Sequence, residues 1–337
     1  MVASVIAGLA LIPAPAQAHG PTAPVGINYR AVLDSAPAGV VATVVDGDQS
    51  MWLQVSPAVT LAVLDYQGGP YLRFTAAGVY VNTRSEMYYL NQPTQVPVPL
   101  HIGPESRPVW VRASSGHSYS WHDGRLQALA TVKLAPGASF AGNWRIPLLV
   151  DGRSAALSGG LWYRPPPSPV WFWPIAVILA CALALRRVSR PALSRGLIRA
   201  LSVAAVLSLG VAAVALELHG RPNVSLFQHI TLGMGLAVAV LALARILLAR
   251  AGLPLFFVIG AGALGAGFDL LPALLNGFVL VALPAFLARA DAVLCLGCGL
   301  SLFVLVLWEL WDRMAPITAA PAAGNARPAN RAGLRSG

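Results

Sequence analysis

Charge is scarce in this chain. Only 11% of its 337 residues are Asp, Glu, Lys or Arg, against 56% hydrophobic. A soluble domain carries about 25% charged residues, so a surface facing water throughout is excluded. Cysteine is nearly missing as well. Cys181, Cys295 and Cys298 all lie in apolar stretches, and residues 19–165 have none. A disulfide framework is therefore excluded there, and that part must fold on its core alone. No Walker motif, dinucleotide fingerprint or catalytic-triad spacing is found, so no enzymatic reaction is expected.

What is present divides in two. Residues 19–165 read as an ordinary soluble sequence, and residues 170–311 are almost continuously apolar. The formal charge of +10 divides too. Ten basic and eight acidic side chains in 19–165 leave only +2 there, and the surplus lies between the apolar segments and in the tail. That distribution follows the positive-inside rule and argues against nucleic acid as a partner.

Residues 1–18 read as an export signal: an apolar run from Val2 to Ile12, then Pro13 and Pro15, then Ala16-Gln17-Ala18 as a small-x-small cleavage site. Cleavage would leave His19 at the new amino terminus. From 19 to 164 short β-like runs follow, at Tyr29–Leu33, Val40–Val45, Met51–Val55, Thr60–Leu64, Gly78–Asn82, Val109–Arg112, Ser118–Trp121, Trp144–Val150 and Ala155–Tyr163. Gly, Pro, Asp and Asn punctuate them, and no amphipathic helix stands out. The expectation is an all-β immunoglobulin-like sandwich outside the membrane, joined by the stiff segment 165–169 to an α-helical transmembrane bundle in 170–313.

Gly69-Pro70-Tyr71-Leu72-Arg73, Gly78-Val79-Tyr80-Val81-Asn82, Ser118-Tyr119-Ser120-Trp121-His122-Asp123 with Arg125, and Trp144 to Gly152 together resemble a group of uncharacterised actinobacterial polytopic membrane proteins. The group is similar in carrying an exported β domain with a Trp-His-Asp-His-Arg core. This chain has Gly124 and Gln127 where the group carries further histidines, so its version is degenerate. A weaker similarity is to CopC-like copper-binding sandwiches, which implies an exported copper site.

Three places could carry chemistry. A free terminal amine and the imidazole of His19 can chelate a cupric ion, with His122, Asp123, His117, His101 and Met51 as further donors. In Trp121-His122-Asp123-Gly124-Arg125 the alternation of a strand puts Asp123 and Arg125 on one face, where pairing with each other is the simpler role. Near the membrane, Glu217, His219, His229 and Asp269 are expected at the outer face, as a metal or proton site or as solvated interface residues. Cys295-Leu296-Gly297-Cys298 and the glycine-rich stretch 260–267 read as helix-packing surfaces.

The expected spans are Val170–Leu185, Ala200–Leu216, Ile230–Leu248, Pro254–Phe268 and Ala292–Trp311, long enough by helical rise to cross a bilayer. Residues 270–289, broken by Pro272, Asn276-Gly277 and Pro284, read as a re-entrant or interfacial segment. That gives five spans, with six as the alternative, and a disordered basic cytoplasmic tail over 314–337. The functional expectation is a plasma-membrane envelope protein whose β domain binds or senses a metal ion, copper foremost. The alternatives are a non-catalytic interaction or anchoring protein that binds another envelope component and, after that, a transporter.

Overall fold

In the computed structural model, the described residues are 25–314 apart from 46, 48, 93–95, 100–101, 104, 128–132, 189–190, 219–225 and 249. The expected leader, His19, His101, His219 and the tail beyond Met314 lie outside them. An N-terminal β-sheet domain is followed by a helical region.

The β domain consists of β1 (Gly26–Ile27), β2 (Tyr29–Ser35), β3 (Val40–Val45), β4 (Ser50–Val55), β5 (Leu61–Leu64), β6 (Pro70–Thr75), β7 (Gly78–Asn82), a short helix α1 (Glu86–Leu90), β8 (Trp110–Ser114), β9 (Ser118–His122), β10 (Phe140–Val150) and β11 (Arg153–Tyr163). All nine expected strands are present. β6 and α1 were not expected. β6 starts on a proline, and its consecutive Tyr71 and Leu72 are both buried, which hides the alternation that marks a strand with one wet face.

Seven strands pair in the order β2-β11-β10-β5-β6-β7-β8, and three in the order β3-β4-β9. Both sheets supply one core: Met51, Leu53 and Trp121 from the smaller meet Leu61, Tyr71, Leu72, Phe74, Trp144, Ile146, Leu148 and Leu157 from the larger. The longest pairing, β10 with β11, turns at Asp151-Gly152 with φ of +48° and +76°. Positive φ at both positions is what a tight right-twisted hairpin needs, and Asp-Gly supplies it at low cost. At Gly159 in β11 a side chain would strike the Trp144 ring, so the glycine lets that indole lie across the strand with its N–H on the Gly160 carbonyl at 3.2 Å.

The helical region holds α2 (Trp173–Val188), α3 (Pro191–Glu217), α4 (Leu226–Leu247), α5 (Leu253–Asp269), α6 (Leu271–Leu275), a two-residue strand β12 (Phe278–Val279) and α7 (Ala285–Met314). Four stretches are long and apolar enough to cross a membrane, which points to membrane association: 169–187, 195–217, 229–247 and 285–313. α5 is equally apolar but has 17 residues. α7 is the central helix, packed against α2, α3 and α5, whereas α4 touches little besides α3 and exposes Ile230, Met234, Val238, Val240 and Leu241. An apolar helix so uncovered suits a lipid surround.

The two ends of the bundle differ. At one, Arg186 of α2 reaches Glu309 at 3.3 Å and Asp312 at 2.8 Å on α7 and lies over the Trp308 ring. At the other sits the β domain. There β1 pairs antiparallel with β12, Leu280 N–H donates to the Val25 carbonyl, and Gly277 N–H donates to Asn28 Oδ1 at 3.0 Å. A Cβ on Gly26 would run into the Pro272 carbonyl, and one on Gly277 into that of Arg164. The close approach is possible only without side chains. Arg289 of α7 fixes this seat from below, donating from Nε to Ala273 O and from Nη2 to the carbonyls of Asn276 and Gly277 at 3.0–3.1 Å. Residues 270–284 thus form a folded platform of short helix, strand and turn rather than one continuous helix.

Candidate functional site

β9 delivers the Trp-His-Asp motif. Its register against β4 sets Trp121 opposite Met51 and His122 opposite Ser50. The strand then stops, and Asp123 caps a 3₁₀ turn over 124–126 instead of extending the strand. Its carboxylate is fully buried. One oxygen accepts from Trp121 Nε1 at 2.9 Å and Arg125 Nη2 at 2.7 Å, and the other accepts from Arg125 Nε at 2.8 Å and the Arg125 amide at 3.1 Å. Such a bidentate, charge-assisted arrangement is among the strongest a side chain can make.

Arg125 continues the network. It donates to the Leu64 carbonyl at 3.0 Å and lies over the Tyr66 ring at 5.1 Å. The Tyr66 hydroxyl accepts from Gly124 N–H at 2.7 Å, and burial, aided by the Asp123 charge, pushes its pKa up. The motif therefore ties the small sheet to the β5–β6 turn. With both its oxygens engaged, Asp123 is committed to this clamp.

His122 faces elsewhere. Its Nδ1 pairs with Ser50 Oγ at 3.0 Å, and its backbone exchanges two hydrogen bonds with the Asn91 amide, at 2.7 and 3.2 Å. His117 lies at the other end of β9, with Nε2 at 3.2 Å from the Ala76 carbonyl. The structure thus separates His122 from Asp123 and from His117. Met51 is buried in the core.

Of the four residues expected near the membrane face, Glu217 ends α3, His229 lies in the first turn of α4 and Asp269 ends α5, where it is exposed. These helix ends belong to the half of the bundle that carries the β domain, as the hydrogen bond from Ala282 N–H to the Ala215 carbonyl shows. Among the described residues no three His, Cys, Asp or Glu side chains converge on a common point.

One polar pair escaped the sequence reading. Asp291 of α7 is 5% exposed, and its Oδ1 accepts from Ser208 Oγ of α3 at 2.5 Å. Its Oδ2 is buried with no hydrogen-bond partner. The one available signal was a lone acid inside an apolar run, masked by the boundary assumed between a platform ending at 289 and a span starting at 292. Cys295, one turn along, lies beside this pair. The glycines near it make packing contacts: Gly297 meets Ile178 of α2, and Gly299 meets the Gly260–Leu264 backbone of α5.

On the outer face of the large sheet, the Arg73 guanidinium lies between Trp110, at 4.6 Å, and Tyr80, at 5.5 Å. The edge strands leave Val41 of β3 and Val111 of β8 half exposed or more. No protein-family model, no curated protein and no solved structure matches the chain.

Proposed function

We propose that the chain is an integral protein of the plasma membrane that holds an immunoglobulin-like β sandwich outside the cell and uses it as a non-catalytic interaction module. α2, α3, α4, α5 and α7 supply five crossings. The charge pattern supports this orientation: Arg186, Arg187, Arg195, Arg199, Arg245, Arg250 and Arg313 all fall toward the bundle end remote from the β domain, as cytoplasmic loops require. The observation that carries the reading is the seat of β1 on β12. It presents the sandwich in a set pose, with the half-buried Arg73-Trp110-Tyr80 row beside the exposed β8 edge at Val111; Trp, Tyr and Arg are the side chains that anchor interfaces. A photo-activated cross-linker at Val111 in intact cells should trap one discrete envelope component, and one at Leu294, on the lipid-exposed side of α7, should not. Equal labelling at both positions defeats the reading.

A second reading rests on His122. Ser50 fixes the orientation of its ring, so the remaining imidazole nitrogen of this exposed residue is free to ligate copper together with His19. Copper titration of the full chain with a native His19 terminus tests it. One-to-one binding lost in His122→Ala supports the site, and binding indifferent to that substitution sinks it.

A further inference from the structure

Of the three buried carboxylates among the described residues, Asp65, Asp123 and Asp291, the last is the one whose surroundings leave its charge unanswered. The two buried carboxylates of the β domain, Asp65 and Asp123, each have several donors. Asp291 has a single side-chain donor, Ser208 Oγ, and a second oxygen that touches no donor at all. The group is shut between α3 and α7, with Leu270 and Leu274 of the platform and Ala212, Ala292 and Leu296 in the apolar cluster around the same helix.

Cations are the obvious compensation for a buried carboxylate, and the described residues supply none. Among the described residues Asp291 takes part in no ion pair. Arg289 is the nearest base along the chain, but its guanidinium is spent on the carbonyls of Ala273, Asn276 and Gly277. The titratable or polar groups facing Asp291 are Ser208 from α3 and Cys295 from its own helix. α5 offers Gly267 and Leu264 at this level, α6 its leucines, and α2 Ile175. None of these carries charge. An ionised carboxylate in such a place costs several kcal/mol even after relaxation.

A proton or a bound cation would remove that cost. A hard metal cation needs six or more oxygen ligands, and only the Asp291 carboxylate, the Asp291 carbonyl and Ser208 Oγ gather here. Among the described residues that set is too small for a metal ion and sufficient for a proton. We propose that Asp291 and Ser208 form a proton-binding site in the interior of the helical bundle, with the proton carried on the Asp291 carboxyl and Ser208 orienting it. The Ser208 hydroxyl is within hydrogen-bond reach of the carboxyl group. The site lies less than two turns into α7 from its start at Ala285, beneath the platform that seats the β domain. Loss of the proton would place a bare charge between α3 and α7 and loosen their contact.

The inference rests on the membrane reading, which flotation of the protein with phosphatidylcholine–phosphatidylglycerol vesicles tests separately. In such vesicles, infrared difference spectra of the full chain at neutral pH should show a protonated-carboxyl carbonyl band that moves in heavy water. The band should vanish in Asp291→Asn, which keeps the shape and stays neutral, and shift to higher frequency in Ser208→Ala, which removes its hydrogen bond. An unchanged band in Asp291→Asn, with both proteins folded by circular dichroism, overturns the proposal. So does a melting temperature that rises with sodium or potassium concentration in the wild type but not in Asp291→Asn, because the occupant would then be a metal cation.

Discussion

In the β domain Asp123 accepts from four donor groups and Asp65 from three, whereas Asp291 in the helical region accepts from one side chain. Apolar packing differs in the same direction. The β core is filled by large side chains, Tyr71, Phe74, Trp121 and Trp144. The helices close on one another at Gly260, Gly267, Gly297 and Gly299, where an added Cβ would meet a neighbour within about 3 Å. The first region obtains a unique structure from volume and from the filled networks around Asp65 and Asp123. The second obtains it from backbone approach and leaves a polar group under-satisfied, which is where a function can be placed.

The widest gap between the regions should appear at Asp123. Asp123→Ala strips Arg125 and Trp121 of their shared acceptor and should cost about 3–5 kcal/mol, seen as early loss of near-ultraviolet dichroism from the β domain while helix content persists. Simultaneous loss of both signals would mean that the regions unfold as one unit. Next comes the seat. Arg289→Met removes three charged hydrogen bonds to carbonyls and should weaken the platform by about 2–3 kcal/mol, read as faster hydrogen exchange over 270–280 with the β-domain transition unmoved.

Gly26→Val or Gly277→Val should act more mildly, by about 1–3 kcal/mol of overpacking, loosening the β1–β12 pairing without touching the core. A drop in β-domain melting as large as that of Asp123→Ala would refute the division between seat and core. The smallest effect belongs to alkaline pH. Burial raises the Tyr71 pKa well above the usual 10.0, with Tyr119 and Asp123 adding to it. The unfolded chain therefore loses that proton first. Stability from Tyr71 is whole below pH 10.0 and falls as pH rises toward the folded value, by about 1.4 kcal/mol per unit. Tyr71→Phe should flatten that slope and leave the neutral-pH stability nearly unchanged.

Much of the β domain was legible because its strands face a core on one side only. Val40–Val45 and Gly78–Asn82 have the expected bounds, and Trp144–Val150 is four residues longer at its start. β6 was hidden by burial of successive residues. β1 and β12, two residues each, owe their existence to a contact across the chain and carry no local pattern. Proline and glycine at 272, 277 and 284 correctly interrupted the apolar run before α7. The Asp123–Arg125 pairing followed from spacing, although the geometry is a capped turn and not a strand face. Asp291 could not be weighed from sequence, because its meaning depends on what lies opposite it on α3.

The bond between Gly277 and Asn28 joins residues 249 positions apart. During synthesis the first strands leave the ribosome long before the platform does. The core formed by residues 31–161 can assemble early, whereas on the proposed five-span topology β1 finds its partner only after α2 to α5 have entered the bilayer. On that topology, closure of this last pairing would report on the insertion of everything between. On that topology a helix laid in the wrong direction would strand β12 on the far side and leave the β1 edge unpaired.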